Sequence, residues 1–199
     1  MAVDIVYETH AITEDNEQGI ATGWLPGRLS QRGRELAARL GERRRNEGFA
    51  AVFSSDLARA VATAEIAFAG TGIPLRQDRR LRECDYGELN GCPVDRLAAV
   101  RSRHIDTPFP GGQSYREVIA ATADFLRDLA RHHDGHRILL IAHSANRWAL
   151  QCLLAGGSIE DLVDAPFTWQ EGWNYTLPAD FPSNSRTTSA VDRTSPKLR

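Results

Sequence analysis

The chain has 199 residues, of which 42% are hydrophobic and 25% charged, and its formal net charge is -2. That length suffices to bury a core in one domain, and the composition is that of an ordinary globular protein. A near-neutral balance excludes a general attraction to nucleic acid or to an anionic membrane.

The first element in chain order is the apolar run Val3 to Tyr7, which ends in Glu8, Thr9, His10 and Ala11. A β-branched run closed by a polar break reads as a buried parallel strand whose carboxyl end opens into a loop, where open α/β sheets place ligands. The loop Ala11–Arg28 carries Gly19, Gly23, Pro26 and Gly27, which argues against regular structure. Ser30 then caps a helix through about Arg45, with Leu36, Ala37 and Leu40 on its buried face. Arg43, Arg44 and Arg45 at its end read as a solvated helix terminus. AAVFSS gives a second strand, and a helix from Asp56 to about Ala69 follows, with Arg59 in its first turn facing the crevice of His10. A brief strand near Leu75 leads to a polar segment with Glu83, Asp85 and Glu88.

Pro93 to Arg103 reads as a short helix, and Ser114 as the N-cap of a longer one with Val118, Ala121, Phe125, Leu126 and Leu129 as its apolar stripe. The run Arg137 to Ala142 is a strand that delivers His143 as the first strand delivers His10, and a helix spans about Ala145 to Leu154. Trp169 to Leu177 reads as an edge strand. Strands alternating with helices predict a three-layer α/β/α sandwich with a mostly parallel central sheet, one domain over residues 1–178, and a polar tail over 179–199.

Several familiar signatures are absent. There is no phosphate loop and no dinucleotide fingerprint, and GGQSYR fails the nucleophile-elbow pattern at Arg116. The three cysteines, Cys84, Cys92 and Cys152, lack metal-ligand spacing, which suggests free thiols in a reducing compartment. HHDGH at 132–136 reads as exposed polar residues, and no metal or cofactor is expected. Without a basic leader, and with Asp4 interrupting the first apolar run, the expected location is the cytoplasm. A lone strand-end histidine reads first as a core or capping residue; a second one, with an arginine opening a helix after a strand, suggests a shared site.

Five pieces in order, ETHAITEDN with Gly23 and Trp24 following, SSDLARAVATAE, RLRECDYGELNG, PGGQSYREV and IAHSANRWAL, resemble the histidine phosphatase superfamily over roughly residues 3–177. The resemblance implies that His10 is the nucleophile taking a phosphoryl group, that Arg59 and His143 hold phosphate oxygens, and that Glu83 donates and accepts the proton. It implies further that Thr9, Asn16, Thr22 and Gly23 face the substrate. Such chemistry uses neutral imidazole attack to split one displacement into two, cationic groups aimed at the phosphoryl oxygens, and no metal.

The chain departs from the family's Arg-His-Gly tripeptide with Thr9-His10-Ala11. Removing one transition-state donor costs about 3 to 4 kcal/mol. Arg28 and Arg147 are candidate replacements, with Glu8 expected to steady one of them, and Trp24, Arg103 and His104 are candidate substrate contacts. Three readings follow: hydrolysis of a small phosphorylated metabolite through a phosphohistidine on His10, another transfer or hydrolysis on a less anionic substrate, or phosphate-ester binding with impaired turnover. The expected partners are a small phosphorylated metabolite or inorganic phosphate and, as an oligomer, a homodimer.

Overall fold

Two apolar runs lie side by side at the middle of one sheet, because each is flanked by helices that bury both of its faces. The computed structural model describes residues 1–166 and 170–182. β1 (Ala2–Thr9) pairs in parallel with β6 (Arg137–Ala142), which pairs in parallel with β3 (Ala51–Ser54), itself parallel to β4 (Leu75–Gln77). On the other side of β1 runs β7 (Trp173–Pro178), antiparallel, giving the order β4-β3-β6-β1-β7. The sheet is therefore mostly parallel, as the strand–helix alternation predicts.

Alternation along β1 divides its side chains between two layers. Val3, Ile5 and Tyr7 join a core with Phe125, Leu126 and Leu129 of α5 (Tyr115–His132) and Leu150 of α6 (Ser144–Leu154). Val6 joins the opposite core with Leu40 of α2 (Gln31–Arg44) and Ala64, Ala67 and Phe68 of α3 (Ala58–Phe68). Complete burial of Val3, Ile5 and Val6 stabilises the strand by roughly 1.5–3 kcal/mol each. A third cluster, including Tyr86, Phe109, Tyr115 and Trp148, lies beneath the loops at the carboxyl end of the sheet.

Several boundaries differ from the sequence reading. The long loop contains α1 (Glu14–Glu17), where Thr13 and Asn16 cap each other reciprocally, and β2 (Ile20–Ala21), which pairs with β5 (Cys92–Pro93). Turn residues punctuate that loop without preventing short regular pieces. The expected helix 93–103 is broken into α4 (Val94–Ala98) and a 3-10 turn (Arg101–His104). α3 starts at Ala58 rather than Asp56, because Leu57 is still extended. α7 (Ile159–Val163), capped by Ser158, is a five-residue helix too short to show an apolar period. The edge strand begins at Trp173; Trp169 and most of the expected tail, 183–199, lie outside the described residues.

The α2 and α3 backbones approach closely at Gly41, where an added Cβ would stand 2.1 Å from the Ala67 carbonyl oxygen. Gly41→Ala is accordingly expected to cost about 1–3 kcal/mol by overpacking. Thermal melting should record this as a fall of roughly 2–10 °C; an unchanged midpoint would mean that the two helices separate freely.

Candidate active site

The register of the central strands sets the site. Thr9 stands opposite Ala142, so the next residues, His10 and His143, leave the sheet side by side, and the His10 amide donates to the Ala142 carbonyl at 3.0 Å. Their rings lie 5.0 Å apart between centroids. Between them reaches Arg59, buried in the first turn of α3. Its Nε donates to His10 Nε2 at 3.3 Å and its Nη2 to His143 Nδ1 at 3.4 Å. The same guanidinium donates to the carbonyls of Gly23, at 2.8 Å, and Leu25, at 3.4 Å. Gly23 has φ 55°, and a Cβ there would collide with Asn90 Oδ1, so glycine lets this loop carbonyl face the arginine. Among the described residues no carboxylate forms an ion pair with Arg59; its charge is met by carbonyls and imidazoles, which leaves an anion as its natural complement.

Hydrogen bonding assigns the imidazole tautomers. His10 Nδ1 lies 2.8 Å from the Ala11 carbonyl, which only accepts, so the proton is on Nδ1 and the lone pair on Nε2 points to Arg59. Burial first, and the Arg59 charge second, lower its pKa from 6.5 to about 3, while the Ala11 carbonyl pulls weakly the other way. His143 receives the Arg59 donor on Nδ1, so its Nε2–H donates to Ser55 Oγ at 2.7 Å. Burial, then Arg59 and His10, hold it well below its ordinary value. The Tyr7 hydroxyl donates to the His143 carbonyl, and Thr63 accepts from the Ala11 amide while donating to the Arg59 carbonyl.

Glu83 enters from the segment after a 3-10 turn (Arg79–Leu81) and is buried. Its Oε1 accepts from the Cys84 amide at 2.8 Å and the Ala145 amide at 3.3 Å, at the start of α6. Burial raises its pKa despite the opposing pull of those amides and of Arg59. The Trp24 indole donates to the Glu83 carbonyl at 2.6 Å, with the Arg82 guanidinium 4.6 Å above its ring. Cys84, Cys92 and Cys152 are free thiols, and burial pushes Cys84 far above the range of a reactive thiolate.

His10, Arg59, Glu83 and His143 line one cavity of about 880 Å³. Thr9, His10, Asn16, Thr22, Gly23, Arg59, Glu83, His143 and Arg147 all face it. Asn16 Oδ1 is engaged with the Thr13 amide, and Thr22 donates to Asp15 at 2.8 Å. Arg147 follows His143 by one helical turn, its guanidinium 5.1 Å from the Trp173 ring. Arg28 is exposed and outside the cavity lining: its neighbours Gly27 and Leu29 are buried, and its own side chain turns to solvent. Trp24, Arg103 and His104 are also outside it; Trp24 braces Glu83, and His104 stacks on Phe109 at 3.9 Å. Glu8 steadies neither expected arginine. It is buried and accepts from Arg44 Nε at 2.9 Å and Arg43 Nη2 at 3.3 Å, so those two cations pair with it rather than standing as a solvated helix end. Sequence reasoning missed Ser55, Tyr7 and Thr63; only Ser55 had a signal, its place at a strand end just before the Arg59 helix.

A family model described as the histidine phosphatase superfamily (branch 1) matches residues 9–169. The chain belongs to that family. It is similar to 2,3-bisphosphoglycerate-dependent phosphoglycerate mutase of Nitrobacter winogradskyi, 30% identical over 88% of this chain and 92% of the relative. It is similar as well to the probable phosphoglycerate mutase GpmB of Salmonella paratyphi B, 32% identical over 73% and 70% of the two chains. Among solved structures, Bacillus stearothermophilus YhfR superposes with a TM-score of 0.75 at 26% identity, covering 85% of this chain and 88% of that one. A mycobacterial glucosyl-3-phosphoglycerate phosphatase in complex with VO3 superposes with a TM-score of 0.68 at 27% identity, covering 81% and 85%. The superfamily's members are phosphatases and mutases, so the family activity is phosphoryl transfer. Among the described residues no helix is long and apolar enough to cross a membrane, and no group of side chains has the makings of a metal site.

The depressed imidazole pKa values tie stability to pH. In the unfolded chain each ring takes its proton near pH 6.5, whereas folded His10 resists until about pH 3 and folded His143 is likewise held well below its ordinary value. Below 6.5 the unfolded state binds more protons, so this contribution is complete above 6.5 and is lost as the pH falls toward 3. The urea midpoint should therefore drop between pH 7 and 5.5, and drop less in His10→Asn; equal slopes for the two proteins would contradict the assignment.

Proposed function

We propose that the chain is a phosphoric-ester hydrolase acting on a small phosphorylated metabolite through a phosphohistidine on His10. The observation that carries this reading is the His10 Nε2 lone pair, set by the Ala11 carbonyl and held against a buried Arg59 shared with His143. In the first step Nε2 attacks phosphorus while the ester P–O bond breaks, and protonated Glu83 gives its proton to the leaving alkoxide. Arg59 and Arg147 hold the phosphoryl oxygens as their charge spreads, and His143 Nδ1 accepts from a protonated phosphoryl oxygen. In the second step the Glu83 carboxylate takes a proton from water, the hydroxide oxygen attacks phosphorus, and the N–P bond breaks, returning His10 to its neutral form. Thr9, Asn16, Thr22 and Gly23 line the substrate side.

Hydrolysis rather than transfer back to an alcohol is favoured by a cavity whose rim is exposed at Val94 and at the helical arginines, which gives water access to the phosphoenzyme. The mycobacterial structural neighbour named as a phosphatase supports the same choice. A second reading, phosphate-ester binding with little turnover, is favoured by Thr9, which brings a hydroxyl where the family carries a guanidinium.

Steady-state assays on p-nitrophenyl phosphate and a set of alkyl phosphates separate these readings. His10→Ala should lose at least about a thousandfold in kcat, and Arg59→Ala roughly a hundred- to a thousandfold in kcat/KM. Turnover that survives His10→Ala overturns the proposal, and ester binding without turnover in the wild type establishes the second reading.

Glu83→Gln keeps the shape but cannot give a proton. It should slow alkyl esters by about 10²–10⁴ while leaving p-nitrophenyl phosphate, whose leaving group departs unprotonated, far less affected. The pH profile follows from the same groups. For the first step, read in kcat/KM, the rate falls on the acid side as His10 protonates near pH 3, and on the alkaline side as Glu83 loses its proton above its raised pKa. An alkaline limb unchanged in Glu83→Gln would remove Glu83 from the proton-transfer step.

A further inference from the structure

Glu83 stands where neither a helix nor a strand holds the backbone. It lies between two 3-10 turns, Arg79–Leu81 and Gly87–Leu89, so its main-chain groups must find partners outside any ladder. Side chains from two other segments supply them. Asn146 Nδ2, in the first turn of α6, donates to the Arg82 carbonyl at 3.2 Å, while the Asn146 Oδ1 accepts from the His143 amide at 3.3 Å. The Trp24 indole takes the next carbonyl, that of Glu83 itself, at 2.6 Å.

The Arg82 side chain fixes that indole in turn. Its Nε donates to Asp56 Oδ1 at 2.7 Å and its Nη2 to Asp56 Oδ2 at 2.6 Å, and the same guanidinium lies 4.6 Å from the centre of the Trp24 ring. One planar group thus meets a carboxylate with its fork and an aromatic ring with its face, which lysine cannot do. Both ends of this contact lead back to the reacting groups. Asp56 follows Ser55, the partner of His143 Nε2, and precedes Arg59 by three residues; Trp24 follows Gly23, whose carbonyl accepts from Arg59. Arg59 to Gly23, Trp24 to Glu83 and Arg82 to Asp56 therefore close a ring of contacts around the acid. Asp56, Arg82 and Trp24 are all outside the cavity lining, so none of them touches a substrate there. The Arg82 and Asp56 side chains are 30% and 28% exposed, and a pair that open to water contributes little to stability. What a bidentate fork does supply is a fixed orientation.

We propose that Asp56, Arg82 and Trp24 are positioning residues that clamp the Glu83 backbone from outside the cavity and hold its carboxyl in line with the phosphoryl group gripped by Arg59. This rests on the acid role given to Glu83 in the hydrolase reading above. A loosened clamp leaves His10, Arg59 and His143 in place and moves the proton donor alone, so it slows esters in proportion to their need for a proton. The titratable and charged groups facing the Glu83 carboxyl are Arg59 of α3, Tyr7 of β1, Tyr115 of α5, and Cys84 and Tyr86 of its own segment, and the substitutions below leave all of them intact.

Two measurements test the clamp. The first is kcat and KM for butyl phosphate and p-nitrophenyl phosphate in the wild type, Trp24→Phe, Arg82→Lys and, as a control, Arg80→Gln, which breaks the neighbouring ion pairs with Asp78 and Asp128. Trp24→Phe and Arg82→Lys should each lose about ten- to a hundredfold in kcat on the alkyl ester, with KM little changed and the aryl ester far less affected. Arg80→Gln should keep the wild-type ratio of the two esters. A protein that is merely less stable loses both activities equally. In Glu83→Gln, where no proton is given, Arg82→Lys should cause no further selective loss on the alkyl ester. The second measurement needs no turnover: a carboxyl ¹³C NMR titration of Glu83. The wild-type carboxyl should titrate above the ordinary glutamate range, and in Trp24→Phe, which changes no charge, it should move back toward that range as water reaches it. Equal losses on the two esters, an undiminished selective loss in Glu83→Gln, or an unmoved titration in Trp24→Phe overturns the clamp. Failure of the hydrolase reading looks different: the wild type releases phosphate from neither ester, while the titration still decides whether Trp24 holds Glu83.

Discussion

One guanidinium is the interaction on which the site depends. Arg59 is buried at the carboxyl end of the sheet without an ion-paired carboxylate among the described residues, and it donates to both imidazoles and to two loop carbonyls at once. A buried cation is tolerated only where its donors are met, so the loop through Gly23 and Leu25, the start of α3 and the ends of two strands are all fixed by the same charge. That charge also helps to keep both rings neutral, which is the state a nitrogen nucleophile needs. Structure and reactivity thus have a common electrostatic origin: burial and Arg59 lower the imidazole pKa values, while burial of Glu83 acts in the opposite sense and favours its acid form. Two titratable groups pushed apart in this way suit the nucleophile and acid roles proposed for them.

The geometry depends on pairing register rather than on any local motif. β1 and β6 come from distant parts of the chain, and the pairing of Thr9 with Ala142 alone brings His10 beside His143. A slip of one residue would turn alternate side chains to the other face and part the two rings. The buried positions of both strands prevent that slip, since Ile5, Tyr7, Ile138 and Leu140 are all needed in one core. Core packing therefore contributes directly to the placement of the two histidines.

The sheet and the flanking helices were legible in the sequence because strand burial, helix period and capping agree there. Ser30 and Ser114 cap their helices, and the runs ending at His10 and His143 are strands. Four groups, His10, Arg59, Glu83 and His143, were legible from residue type at strand and helix ends together with the family resemblance. The pairing of Glu8 with Arg43 and Arg44 was not, since it joins residues about 35 positions apart across a layer and leaves no local periodicity. Ser55 and Tyr7 were hidden for a similar reason: their polar ends act on His143, which only the folded register brings near. Arg28 and Arg147 were equal candidates in sequence, and they differ in the fold because Arg147 follows His143 by one turn of α6 and lines the cavity while the Arg28 side chain is exposed outside it.

The central claim is that His10, Arg59 and His143 converge on one phosphoryl group. A crystal structure grown with orthovanadate, a five-coordinate mimic of phosphorus in flight, tests it most directly. The account predicts vanadium bonded to His10 Nε2, with Arg59 donating to its equatorial oxygens and His143 Nδ1 accepting from a protonated one. Vanadate bound away from His10, or held with Nε2 unligated and Arg59 still on the Gly23 carbonyl, would contradict it.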